Sequence, residues 1–116
     1  MKPEIKSKWI AALRSGEYKQ AEGMLRASED TMCCLGVLCE IYRQDNNGPD
    51  WQQECYLGRS SYPANEVLEW AELDSSHPNP AVNFDGKKTY LGNLNDGSGV
   101  PKQDFGSIAN IIEEQL

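Results

Sequence analysis

The stretch TMCCLGVLCEIY, residues 31–42, carries Cys33, Cys34 and Cys39; the only other cysteine is Cys55, and His77 is the only histidine. Thiols this close together admit four chemistries: a metal site, a redox pair, a nucleophile, or sulfur used as packing. Structural zinc needs two ligand pairs that close a tetrahedron. A set of Cys34, Cys39, Cys55 and His77 can be written, but five residues of helix turn Cys34 and Cys39 roughly 140° apart, and the LGVL between them is apolar. Neighbouring cysteines form strained disulfides, and no Cys-x-x-Cys is present. A thiol nucleophile needs a histidine base, and His77 sits in SSHPNP, a connector. Free cysteine also packs as a small hydrophobe, and that reading is the expectation: no catalytic residue, no metal ligand and no cofactor.

Two other stretches invite chemistry. In GNLNDGSG, Gly92 and Gly97 have P-loop spacing, but Ser98 stands where lysine is required. Read as an EF-hand from Asn93, the same stretch has Gly97 and Ser98 at the fifth and sixth positions, where a ligand and a glycine are needed. A tight loop before the last helix is expected instead, with Asn95 and Asp96 bonding local backbone donors. In LRSGEYKQAEGMLR, the residues Arg14, Tyr18, Lys19, Gln20 and Arg26 gather after a helix end. They read either as cations favourable to a helix C-terminus or as a recognition patch. In the patch, Arg14 grips a carboxylate or phosphate and Tyr18 offers a flat face. Arg14, Tyr18, Gln20 and Arg26, joined by Trp70, Asn95 and Asp96 where the fold brings them near, are the candidate binding residues.

The elements that must position these residues can be read from periodicity. Pro3 and Glu4 open a helix with Ile5, Trp9, Ala12 and Leu13 on one stripe, closed by Gly16. Residues 22–26 and 31–33 read as a short hairpin. CCLGVLCEIYRQ is a helix with only a narrow polar side, broken by DNNGPD. WQQECYLG reads as a strand; SSYPANEVLEWAEL as a helix with Pro63 in its first turn; AVNFDGKKTYL as a hairpin turning at Asp-Gly. VPKQDFGSIANIIEEQL closes the chain as a helix with Phe105, Ile108, Ile111 and Ile112 inward. About four helices on a small antiparallel sheet of short hairpins, in one globular domain spanning 1–116, give an α+β class. Trp9, Leu13, Leu35, Leu38, Val67, Trp70, Phe105, Ile108 and Ile112 are expected to form one core.

The charge is uneven. Residues 1–26 hold six basic against three acidic groups, a net +3, whereas residues 27–116 hold five against fifteen, a net −10. An acidic chain lacks the basic stripe that binding to a nucleic-acid backbone demands; it reads first as a solvated surface that keeps the chain soluble, and second as a surface for a basic partner. No apolar run reaches the roughly 18 residues of a membrane span, and Met1–Ser7 is too polar for a signal peptide, so an intracellular protein without membrane contact is expected.

Three blocks, KWIAALRSGEYKQAEGMLR, CCLGVLCEIY and LGNLNDGSGVPKQDFGSIANIIEE, together resemble small proteins encoded by tailed bacteriophages and prophages. Those proteins share, in the same order, ALRSG-x-Y-x-Q, CCLGVLC and a late LND-x-G…F-x-x-IA block. The resemblance spans most of the chain, least of all residues 44–80, and departs at GVPKQDF, where a proline-containing insertion precedes the phenylalanine. That family has no assigned reaction. The resemblance implies a phage accessory protein in the host cytoplasm that binds and inhibits a host defence or regulatory protein. The alternative is a small-molecule binder that sequesters a nucleotide-derived signal; homo-oligomerisation stays open.

Overall fold

A computed structural model describes all of residues 1–116. Its ten elements run α1 (Pro3–Arg14), β1 (Lys19–Gln20), β2 (Arg26–Ser28), β3 (Thr31–Met32), α2 (Cys34–Asn46), α3 (Asn65–Trp70), β4 (Ala81–Phe84), β5 (Lys87–Tyr90), α4 (Leu91–Asp96) and α5 (Phe105–Gln115). The class is α+β, with five helices and two small sheets.

Helix α2 is the axis of the fold. Every residue from Cys34 to Ile41 is buried, so this segment has no solvent-facing side, and thiols on opposite flanks are equally enclosed. α1 packs across α2 and α5, burying Ile5, Trp9, Ile10 and Leu13. The Trp9 indole Nε1 donates to the Cys34 carbonyl at 2.9 Å, which fixes the crossing of α1 over the start of α2. One contiguous core takes in eight of the nine expected residues. Trp70 is the exception: it is half-buried at the core's edge and meets Tyr42 edge-on at 5.2 Å.

Gly36 explains how a sheet reaches so deep a helix. A Cβ at this position would collide with the carbonyl oxygen of Leu25, so the chain leading into β2 lies directly on the helix backbone. β3 is central in the first sheet, antiparallel to β2 and parallel to β1. The expected hairpin therefore exists but begins at Arg26, with an irregularity between Arg26 and Ser28, and it gains a parallel partner strand that two residues of KQ do not announce.

Three local expectations are corrected. WQQECYLG is no strand: Gln52 pairs with Cys55 and Tyr56 with Arg59 in two successive tight turns, and positive φ at Gln53 and Leu57 breaks the alternation. GNLNDGSG is no loop at its start: Leu91–Asp96 is helical because Leu91, Leu94 and Asn95 all turn inward, and Gly97, at φ 73°, ends it. Pro63 lies just outside α3, whose N-cap is Ala64. The Asp-Gly hairpin forms as read, with Asp85 and Gly86 both at positive φ between β4 and β5. The open edge of β4 is covered by Gln115, whose amide exchanges two bonds of 2.7 Å with the backbone of Asn83.

Candidate functional site

The thiols come first. Cys33 is the N-cap of α2, and its Sγ accepts from the Gly36 N–H at 3.4 Å. A helix N-terminus ordinarily favours a thiolate, but burial wins and pushes the Cys33 thiol up to about 11. Burial also raises Cys34 and Cys39 well above the ordinary range. All four cysteines are unpaired, and no group of three or more His, Cys, Asp or Glu side chains is gathered in metal-binding fashion. The histidine is equally ill placed for nucleophilic chemistry. His77 Nδ1 meets both Asp74 Oδ2, at 3.1 Å, and Ser76 Oγ, at 3.0 Å. A Ser-His-Asp relay needs the acid and the hydroxyl on opposite ring nitrogens; here they share one.

The candidate binding residues separate into distinct environments. Arg14 reaches α5, donating to Asn110 Oδ1 at 2.7 Å and to Glu113 at 3.3 and 3.5 Å. Its acidic partner lies on α5 and not at Glu17 or Glu22 of its own segment, so it ties α1 to α5. Arg26 donates to the carbonyls of Ser28 and Gln53 and stacks 5.3 Å from the Trp51 ring centre. Tyr18 is half-buried, and burial together with the nearby Glu40 carboxylate raises its phenol. Trp70 belongs to the Tyr42 contact.

Gln20, Asn95 and Asp96 do come together, in a knot whose centre, Asn95, is buried while Gln20 is half-buried and Asp96 exposed. Asn95 is fully enclosed. Its Oδ1 accepts from the Cys34 N–H at 3.1 Å and from Gln20 Nε2 at 3.0 Å; its Nδ2 donates to the Ala21 carbonyl and to Asp96 Oδ1, both at 2.8 Å. Gln20 Nε2 also donates to the Gln103 carbonyl at 2.8 Å, and Asp96 Oδ1 accepts from the Gly23 N–H at 3.1 Å. The expectation that Asn95 and Asp96 bond local backbone is thus corrected: apart from the bond between their own side chains, their partners lie across the fold, because α4 delivers Asn95 to the start of α2 rather than leaving it in a loop.

A second polar centre lies midway along α2. Glu40 is buried, and its carboxylate accepts from Arg43 at 2.8 and 2.6 Å, Trp51 Nε1 at 2.9 Å and Gln44 at 2.9 Å. Burial pushes this carboxyl up, but the three donors outweigh burial and hold it below its ordinary value.

Above the Asn95 knot the surface opens. Two large apolar side chains are exposed, Met24 (38%) and Tyr62 (43%), and both line one groove of about 170 Å³ floored by Cys33 and Leu35 and walled by Asn93 and Asp96. Tyr62 also borders a cleft of about 420 Å³ beside Arg59 and a shallow depression of about 440 Å³ beside His77 and Tyr90. Three concavities meet at one tyrosine. Against that geometry, the family model for a domain of unknown function (DUF8296) matches residues 1–116. The chain belongs to that family. No curated protein and no solved structure matches it.

Periodicity misses Met24, Arg59 and Tyr62 because all three sit outside regular elements. The one available signal was Tyr62 in RSSYPA, a large ring among small polar residues with no apolar stripe to absorb it.

Proposed function

We propose that this chain is a binding protein whose partner is another protein, and that Met24 and Tyr62 are its anchors. In the phage setting that the sequence resemblance implies, the partner is a host protein, and the chain inhibits it as a counter-defence factor. The observation that carries the reading is the shared groove: two exposed apolar side chains line it, with a polar rim. Tyrosine is enriched among residues that dominate interface energies, and methionine adapts its shape to a partner's surface. The net −10 on residues 27–116 favours a partner with basic residues around an apolar anchor, since complementary charge speeds encounter and excludes wrong partners.

The test is a plating assay. Expression of the chain in hosts carrying individual defence systems should raise the plating of a phage restricted by one of them. Met24→Lys and Tyr62→Ala should each abolish that rescue while the melting temperature stays near wild type, because exposed substitutions of this kind change stability by no more than about 0.5 kcal/mol. Rescue that survives both substitutions, or plating unaffected by the chain in every system, would overturn the proposal.

A further inference from the structure

The chain has four arginines, and three are engaged within it: Arg14 with Asn110 and Glu113, Arg26 with two carbonyls and Trp51, Arg43 with Glu40. Arg59 is the fourth. It is exposed, and its guanidinium makes no ion pair or hydrogen bond to the chain. It stands at the cleft of about 420 Å³, whose other polar walls are Ser60, Ser61, Tyr62, Asn65 and Ser75. Arg59 is the only charged side chain in that lining, although the surrounding 27–116 segment carries a net −10. The remaining large clefts that hold a cation, beside Lys88 and beside Arg26 and Arg43, hold carboxylates as well.

The main chain behind Arg59 is held firmly. Its N–H and C=O are both paired with Tyr56, at 3.0 and 2.8 Å, and Tyr56 is fully buried. The Ser60 carbonyl accepts from the Leu25 N–H at 2.7 Å. A guanidinium with several hydroxyls and an amide on a fixed backbone is the donor set that recognises a phosphate: Arg supplies two parallel charged bonds, the hydroxyls the rest. The volume lies in the range of small-molecule sites. Tyr62 and Pro78 form the wall shared with the depression beside His77 and Tyr90, where Asn79 and Asn93 present side-chain amides.

From this we infer that the Arg59 cleft binds the phosphate of a small nucleotide, with the base laid against Tyr62. The phosphate would sit among Arg59, Ser60, Ser61 and Asn65; the ring of Tyr62 offers a face to any base. This site shares only Ser61 and Tyr62 with the Met24 groove, so Arg59 and Met24 report on the two properties separately.

The experiment is titration of the intact chain with inorganic phosphate and with the four nucleoside 5′-monophosphates, followed by backbone amide NMR. Saturable binding is expected, with shifts centred on residues 58–65 and 75, and the best nucleotide should bind tighter than phosphate. Arg59→Ala should weaken both probes by roughly tenfold or more, the loss expected for a charge-assisted pair. Tyr62→Ala should weaken the nucleotide and leave inorganic phosphate unchanged, and Met24→Lys should leave both unchanged. Absence of saturation by any probe at about 10 mM, well above the range of a ~1 mM site, would overturn the inference. So would binding indifferent to Arg59→Ala, and phosphate binding with no added affinity for any nucleotide would overturn the nucleotide assignment.

Discussion

Replacing Asn95 by alanine should cost more stability than any other single polar change in this chain. The amide is fully enclosed and serves four partners. Two of them, the Cys34 N–H and the Ala21 carbonyl, belong to buried residues with no water to turn to. Each orphaned buried group costs about 1–3 kcal/mol, so the substitution should remove about 2–6 kcal/mol, a large part of the 5–15 kcal/mol typical of a domain. The remaining partners, Gln20 and Asp96, are less enclosed and recover hydration, so Gln20→Ala should cost only about 1 kcal/mol, the net value of a partly solvated hydrogen bond. Asn95→Asp is the sharper control: it keeps the Oδ1 acceptor, loses the Nδ2 donor and places a second carboxylate beside Asp96. It should be destabilised at neutral pH although its shape is conserved. Urea unfolding followed by tryptophan fluorescence measures all three, with the midpoint shifting at unchanged slope. A cost below about 1 kcal/mol for Asn95→Ala would mean that water takes the place of the amide. Asn95 would then be free to meet a ligand, and the assignment of the knot as scaffold would be wrong.

Two further outcomes follow from the charged groups. Glu40 is held below its ordinary value by its donors, so its contribution to stability is full above the unfolded carboxyl range and is lost as pH falls through the lower folded value. Urea midpoints measured from pH 7 down to about pH 3, straddling the ordinary glutamate value near 4.3, should draw closer together for wild type and Glu40→Gln as pH falls; parallel curves would refute the assignment. Arg14→Ala removes an exposed tie between α1 and α5 and should cost no more than about 1 kcal/mol without altering partner or nucleotide binding. Loss of binding by Arg14→Ala at an unchanged melting temperature would restore Arg14 as a recognition residue.

The amphipathic helices and the Asp-Gly hairpin were legible because one residue's neighbours decide them: the stripe of Ile5, Trp9 and Leu13, the inward Phe105, Ile108 and Ile112, and the positive φ that Asp85 and Gly86 tolerate. The cysteine cluster was legible as packing for the same reason. What escaped was set by distant parts of the chain. β1 is a strand only because Thr31 and Met32 lie beside it. α4 is a helix only because a buried site awaits Leu94 and Asn95. The turns at residues 52–59 depend on Tyr56 being buried, with positive φ at Gln53 and Leu57. Of the candidate site, residue types were readable and their use was not: Arg14 met its carboxylate ninety-nine positions away, and Asn95 met Gln20 seventy-five positions away.

Three sequence blocks, KWIAALRSGEYKQAEGMLR, CCLGVLCEIY and LGNLNDGSGVPKQDFGSIANIIEE, meet at one place. Gln20 comes from the first, the Cys34 N–H from the second, Asn95 and Asp96 from the third, and one buried amide joins them. A knot of this kind fixes the start of α2, the end of β1 and the end of α4 at once, which is why these short motifs are scaffold although they contain the chain's most chemically suggestive residues. The groups left free to recognise something lie around that knot on irregular segments: Met24 between β1 and β2, and Arg59 and Tyr62 between α2 and α3. Rigid backbone pairing behind exposed loop side chains is the usual arrangement of binding residues on a scaffold. It holds here for Arg59, through Tyr56, and for Ser60, through Leu25. The division also accounts for where the motifs fail to inform. Residues 44–80, outside those blocks, supply the tyrosine at which all three concavities meet, so the proposed binding role is tested at Tyr62, Arg59 and Met24 and not at the cysteines.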